Sequence, residues 1–370
     1  MSTGVVVVGA AESDLGVTGK TALHLQAQAI TRALADAGLR LSDVDGLATN
    51  GVSRFAAAQV AEYLGLGPRW TDSTFAGGSA FQLYVGHAVQ AIRAGQASVV
   101  VISYGSNQRT ARSRTHDPYE PQTPEAQFER PYGPLYPVSA YALAAQRYLF
   151  SYGAARGRAA LSAVAVGARE WALENPRAYR YGAGPLTALD VESCPLVSDP
   201  LTTADCCLVT DGGGAVVLVS AARARDLPGA AVPVLGYGEA TTGTSIIGLG
   251  DLLHTGAAES GRRAFAMAGL TPADVDAAQI YDSFTITVLL SLEALGFCAP
   301  GEAPDFLATG GLPLNTSGGG LSYCHPGQLG VLLLVEAVRR LRATADRVAL
   351  VHGTGGILST HGTVLLGAPS

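Results

Sequence analysis

Lysine is almost absent from this 370-residue chain: Lys20 is the only one, and the other 23 of its 24 basic residues are arginine. A Schiff-base mechanism needs a lysine desolvated in a pocket. The single candidate lies in the Gly/Thr-rich stretch Gly16 to Thr21, which argues against that chemistry. Charge is sparse, at 15% of residues, and the net charge is −6. The basic stripe of a nucleic-acid binder is missing, so nucleic acid is set aside. Cysteines number five (Cys194, Cys206, Cys207, Cys298 and Cys324), with no C-x-x-C pair. Such a set fits neither a disulfide framework nor a zinc site within the chain. Cys206 and Cys207 read as small core residues. No run reaches about 18 apolar residues, so no membrane span is expected. Met1 to Gly9 has no basic region and a run of four valines, which reads as a first strand rather than a signal peptide and points to a cytoplasmic protein. The G-x-G pairs, Gly236-Tyr-Gly238 and Gly353-Thr-Gly355, lack dinucleotide-binding spacing, and there is no P-loop.

What is present is a large apolar fraction, 48%, and 46 glycines. The chain also repeats itself: residues 37–45 read AGLRLSDVD and residues 268–276 read AGLTPADVD, with six of nine positions identical. Each copy closes an amphipathic helix with a glycine and leads toward a short apolar strand. A second correspondence follows: helix Ala88 to Arg93 precedes strand Ser98 to Ser103, as Val331 to Arg342 precedes Arg347 to Val351. Short β-rich runs alternating with helices imply βαβ units and mainly parallel, buried sheets. The expectation is an α/β fold with two halves, 1–220 and 221–370, stacked as an α/β/α/β/α sandwich. A loop insertion over about 106–200 breaks the pattern. Its early part sets Arg109, Arg112, Arg114 and Arg130 against Asp117, Glu120, Glu125 and Glu129, and helices over Ser139 to Arg156 and Gly157 to Glu174 follow. It reads as a cover for a pocket or a dimer contact.

Ligands in such sheets collect at the carboxyl ends of strands, where helix N-termini offer free N–H donors. Four glycine-rich turns occupy such ends. Phe75 to Ala80 offers only Ser79 as a nucleophile, without the G-x-S-x-G elbow, and equally suits a helix cap. Tyr281-Asp282 places a phenol beside a carboxylate, or else a core tyrosine beside a helix cap. Asn315 to Gly330 combines Gly318 and Gly319 with Tyr323, Cys324 and His325, and Pro326 suits a first helical turn. His352 to Gly356 ends in Gly355 and Gly356, paired N–H groups of the kind an oxyanion needs, and His361 follows.

Duplication and turns together resemble the thiolase superfamily, in its lipid-transfer-protein or sterol-carrier-protein thiolase-like branch. The third turn resembles that family's Asn-x-x-Gly-Gly-x-x-x-x-Gly-His-Pro signature. Asp205 to Ser220 resembles its Asp-Gly-Ala segment, and Ser198-Asp-Pro-Leu201 also fits. The departures bear on activity. Thr74 to Ser79 holds no nucleophilic cysteine, the second family cysteine is replaced by His352 or a neighbour, and Tyr281-Asp282 stands at the family's second element. Only His325 is in register, with Cys324 in place of a glycine. Without an acyl-accepting cysteine, thiolysis through a covalent intermediate is disfavoured.

The resemblance then implies a thiolase-like aldolase of the steroid side-chain-cleaving kind. Such a lyase breaks a β-hydroxyacyl-CoA by retro-aldol reaction into a ketone or aldehyde and a shortened acyl-CoA. No cofactor is expected in this chain, and the CoA thioester is the substrate. Tyr281 or Tyr323, its pKa lowered by nearby donors, would take the hydroxyl proton. His325 and the N–H groups near Gly355 and Gly356 would hold the enolate, and the other tyrosine or His352 would return a proton. Also implied are a small OB-fold, zinc-ribbon acyl-CoA-binding partner, a homodimer, and a heterotetramer with that partner. The alternatives are a degenerate thiolase using Cys324 or Ser79 and a non-catalytic lipid or acyl-CoA carrier.

Overall fold

The valine runs at 5–8, 99–101 and 216–219 become strands buried on both faces. Val5, Val7, Val100, Val216 and Leu218 enter a central core, while Val6, Val8, Val99, Val101, Val217 and Val219 face an outer helical layer, the two-residue period of a strand. The computed structural model describes residues 3–51, 54–113 and 122–369. Arg114, Asp117 and Glu120 lie outside the described residues.

In chain order the first part holds β1 (Val5–Glu12), α1 (Ala22–Asp36), β2 (Gly46–Ala48), α2 (Ala56–Leu64), β3 (Trp70–Asp72), α3 (Ala80–Arg93) and β4 (Val99–Ser106). The insertion holds α4 (Gln108–Ala111), α5 (Pro124–Phe128), α6 (Val138–Tyr152), α7 (Ala154–Glu174), α8 (Ala188–Ser193) and the hairpin of β5 (Leu196–Ser198) and β6 (Leu201–Thr202). Next come β7 (Gly212–Ser220), α9 (Ala221–Ala224) and β8 (Val232–Thr241). The chain continues through α10 (Ala257–Ala268), β9 (Ala277–Ile280), α11 (Thr285–Ala294), α12 (Ala303–Ala308), α13 (Gly330–Ala343), β10 (Val348–Gly355) and β11 (Thr360–Gly367).

Nine strands join in the order β3-β2-β4-β7-β1-β8-β11-β10-β9. The mainly parallel sheet expected from the βαβ pattern is corrected here. Among the strand pairs of the described residues, only β2–β3, β2–β4 and β9–β10 are parallel; β7 and β11 each insert antiparallel to both neighbours. The reason lies in the connections. A tight turn joins β10 to β11, and such a turn can only reverse the chain. The two half-sheets meet at β1 and β8 through a short antiparallel seam, Val6 with Pro233 and Val7 with Val232. Helices α3 and α13 touch strands of both half-sheets and form the middle layer, with α1 outside the first and α10 outside the second. The five-layered thiolase-type sandwich follows.

The sequence repeat is a structural repeat. Gly38 and Gly269 end α1 and α10 with the same positive φ, 68°. Farther on, Asp45 Oδ1 accepts the N–H groups of Ser98 and Val99, both at 2.8 Å, as Asp276 Oδ2 accepts those of Arg347 and Val348 at 2.8 and 3.0 Å. Each aspartate thus ties its own turn to the start of the adjacent strand. The insertion leaves the first half but packs on the second. Tyr141, Tyr148, Leu161 and Val164 of α6 and α7 share a core with Phe284, Ile286 and Leu289.

Candidate active site

Tyr281 follows the last residue of β9, and its N–H donates to His352 O at 2.9 Å, extending the sheet by one residue. Its ring then packs against Gly78. A Cβ at position 78 would stand 2.3 Å from Tyr281 Cε2, so only glycine fits. The phenol oxygen bonds His325 Nε2 at 3.1 Å and accepts the Leu329 N–H at 3.2 Å. The two rings meet edge to face, with centroids 5.7 Å apart.

The third turn positions His325. Gly319–Tyr323 forms a single π-helical turn after Gly318, and Gly318 and Gly319 are both at positive φ. Asp282, fully buried, accepts the Gly320 N–H at 2.7 Å and the Leu321 N–H at 3.3 Å. Burial raises its pKa to about 7, against the pull of those hydrogen bonds. His325 itself is anchored by its N–H to Thr210 Oγ1 at 3.0 Å.

All four turns converge on one cavity of about 460 Å³. Gly77 and Gly78 come from the first, Tyr281 and Ser283 from the second, His325, Gly327 and Gln328 from the third, and Thr354, Gly355 and Gly356 from the fourth. The insertion closes it with Tyr136 and Tyr141.

Of the residues singled out from sequence, Tyr281, His325, Gly355 and Gly356 are brought together. Several expectations are corrected. Tyr323 does not line this cavity; it is buried on the other side of its turn, where Glu12, Arg339 and Arg177 act on it. His352 points into the core, its Nδ1 2.9 Å from Thr363 Oγ1 and its ring stacked on His361. Burial holds the His352 pKa well below the ordinary value and that of His361 at about 4. Gly318, Gly319 and Asp282 build the turn rather than a ligand cradle. A Cβ on Gly319 would meet Asp282 Oδ2 at 2.1 Å. Ser79 is fully buried and donates to Ala76 O at 2.8 Å. Cys324 is buried against Thr210, with a pKa pushed up to about 12. The pKa of Tyr281 is raised well above the ordinary phenol value, not lowered, because burial outweighs the hydrogen bond from the Leu329 N–H.

The sequence reading missed Thr354, Gln328, Tyr141 and Cys207 on the cavity wall. Thr354 Oγ1 and Gln328 Oε1 are buried with no hydrogen-bond partner among the described residues, an arrangement that a bound polar group would satisfy. A hydroxyl directly before the Gly355-Gly356 pair was the available signal. Cys207, read as core, is buried but borders the cavity. Among the described residues, no group of three or more His, Cys, Asp or Glu side chains is placed to hold a metal.

Residues 238–368 match the family described as thiolase C-terminal domain-like. The 17-hydroxy-3-oxo-4-pregnene-20-carboxyl-CoA lyase of Mycobacterium tuberculosis is 36% identical, over 96% of both chains. The steroid side-chain-cleaving aldolase of Thermomonospora curvata is 35% identical, over 94% of both. Among solved structures, the Ltp2-ChsH2(DUF35) aldolase superposes with a TM-score of 0.89 at 32% identity, covering 99% of this chain and 98% of that one. The chain belongs to the thiolase superfamily, among the steroid side-chain-cleaving aldolases of its sterol-carrier-protein thiolase-like branch.

Proposed function

We propose that the protein cleaves a β-hydroxyacyl-CoA, its acyl group a steroid or other branched side chain, by retro-aldol reaction. The observation that carries the mechanism is the placement of Tyr281 Oη between His325 Nε2 and the Leu329 N–H on the cavity wall. A phenol with a raised pKa stays neutral near pH 7, so Tyr281 serves as a relay rather than as a standing phenolate. As the substrate's β-hydroxyl gives its proton to Tyr281 Oη, Tyr281 passes its own to His325 Nε2. The Cα–Cβ bond breaks, the β-carbon becomes a carbonyl, and the electron pair moves through Cα to the thioester oxygen as an enolate. The imidazolium formed at His325 offsets that charge. N–H groups of the Gly355-Gly356 turn and the Thr354 hydroxyl hold the oxygen, each good donor contributing roughly 3 kcal/mol. The proton returns along His325 and Tyr281 to Cα, which restores the starting state.

The partner in this reading is a small OB-fold, zinc-ribbon acyl-CoA-binding protein, with two copies of each chain forming a heterotetramer. The similar solved structure is an Ltp2-ChsH2(DUF35) aldolase, and that pairing supports a second protein. The chain divides into thiolase-like halves 1–220 and 221–370. No helix among the described residues is long and apolar enough to cross a membrane, and the cytoplasm is the proposed location. Ser79 and Cys324, on which acyl transfer would depend, are turned away from the cavity or held as a neutral thiol.

The test is cleavage of branched β-hydroxyacyl-CoAs by the protein with its partner, following ketone and shortened acyl-CoA. Tyr281→Phe is expected to lower kcat by at least about 100-fold, the scale of acid–base catalysis, with an unchanged far-ultraviolet circular dichroism spectrum. Turnover like that of the wild type would sink the assignment. Intact-mass measurement after acyl-CoA exposure is expected to show no covalent acylation.

A further inference from the structure

The insertion holds a charged centre that the proposed reaction does not use. A cavity of about 600 Å³ borders the reaction cavity, sharing Tyr136, Pro137, Cys207 and Phe284 with it, and carries Arg109 and Arg180. A smaller one, about 260 Å³, shares Arg180 and Thr203 with the second and adds Arg169. No carboxylate lines either among the described residues.

Neighbouring arginines of the insertion are matched: Arg156 with Asp305, Arg158 with Asp205 and Arg177 with Glu12. Arg169 and Arg180 have no such partner among the described residues. On Arg169, Nη1 donates to Gly184 O at 3.1 Å, while Nε is buried with no hydrogen-bond partner there. Burial and then the charge of Arg180 both press the Arg169 guanidinium toward its neutral form. Two like charges sharing one small cavity cost free energy unless an anion lies between them. Asp205, nearby in sequence, is unavailable: it takes both Arg158 amino groups and the hydroxyls of Thr202 and Thr285. Arg180 is pre-oriented, its guanidinium 5.8 Å from the centre of the Tyr179 ring.

We propose that Arg180 and Arg169 form a binding site for one anionic group, phosphate or carboxylate, at the far end of the thioester substrate. The site rests on the thioester reading given above for its role, though not for its existence. Leu135, Val138, Val197 and Leu208 line the intervening cavity, an apolar passage suited to a chain running from Tyr281 to the arginines.

Calorimetric titration with inorganic pyrophosphate reads the anion site without any reaction. Saturable binding by the wild type is expected, weakened by about tenfold or more in Arg180→Gln and in Arg169→Met, the size of a lost hydrogen bond to a charged group. Absence of binding by the wild type overturns the proposal. So does unchanged binding by Arg180→Gln, whose exposed side chain can be replaced without disturbing the core. Two ligand pairs then identify the source of the anion: CoA against its 3′-dephospho form, and acyl-CoA with against without a terminal carboxylate. The pair whose difference in affinity vanishes in Arg180→Gln carries the anion. Differences that persist undiminished in both pairs also overturn the proposal. Pyrophosphate needs no thioester, so failure of this site and failure of the aldolase reading are told apart.

Discussion

The ring of Tyr281 occupies the volume that a side chain at Gly78 would fill: a Cβ there would lie 2.3 Å from Tyr281 Cε2 and 2.6 Å from Thr354 O. Gly78→Ala therefore forces the phenol off His325. Overpacking of this kind costs about 1–3 kcal/mol, so urea unfolding should show a loss in that range. The kcat for cleavage should fall by roughly 100-fold, the lower side of acid–base catalysis. A variant with both quantities intact would show that the ring has room to move and is not held by position 78.

Thr354 tests the enolate site separately from the proton relay. Thr354→Val keeps the shape and removes the donor. The kcat should drop by roughly 100-fold, the scale of one oxyanion donor, with little change in KM. Thr354→Ser should restore most of the activity. Loss in both variants alike would assign Thr354 to packing instead.

Two buried groups give opposite pH dependences. Asp282 goes from 3.8 to about 7 on folding, so the native state holds the extra proton. Its contribution is fully favourable below about 3.8 and is lost as pH rises toward 7. His361, lowered from 6.5 to about 4, acts in the other direction: it favours folding above 6.5 and loses that contribution as pH falls toward 4. Urea unfolding at about pH 4.5 and about pH 7 should therefore show Asp282→Asn gaining stability relative to wild type at the higher pH. His361→Gln should gain relative to wild type at the lower pH. Parallel stability profiles for wild type and either variant would contradict the corresponding shift.

Asp45 and Asp276 occupy matching places in the repeat, and each accepts two backbone N–H groups at the start of a strand. Alanine at either position leaves those groups without their acceptor. Each replacement should cost about 1–3 kcal/mol and leave KM unchanged, since neither aspartate lines the cavity. A large loss at one site with none at the other would mean that the two halves no longer share this device.

The repeat and the four glycine turns were legible because glycine, aspartate and apolar spacing report local backbone needs. Strand direction was less so: β7 and β11 carry valine and leucine runs that suit parallel and antiparallel neighbours equally, and the connections decide. Tyr323 was misplaced because a π-helical turn rotates side chains out of either regular period. His352 and Thr354 lie on one face of β10, yet two residues along a strand amount to about 6.6 Å. That depth separates a core histidine from a cavity hydroxyl, and composition carries no measure of it. The ionisation of Tyr281 was also beyond reach, since it depends on how completely distant segments exclude water.

The cavity walls draw on segments far apart in the chain, among them Gly77 and Gly78, Tyr136 and Tyr141, Tyr281 and Ser283, His325 and Gln328, and Thr354 to Gly356. The order of synthesis therefore matters. While the ribosome is still making the second half, the early strands have no site to present, and the insertion has nothing beneath it to cover. Thr354 reaches the phenol only through the pairing of β10 with β9, the same pairing in which the Tyr281 N–H meets His352 O. A chain that stops short of β10 therefore lacks Thr354 and the Gly355-Gly356 turn, and with them one wall of the cavity.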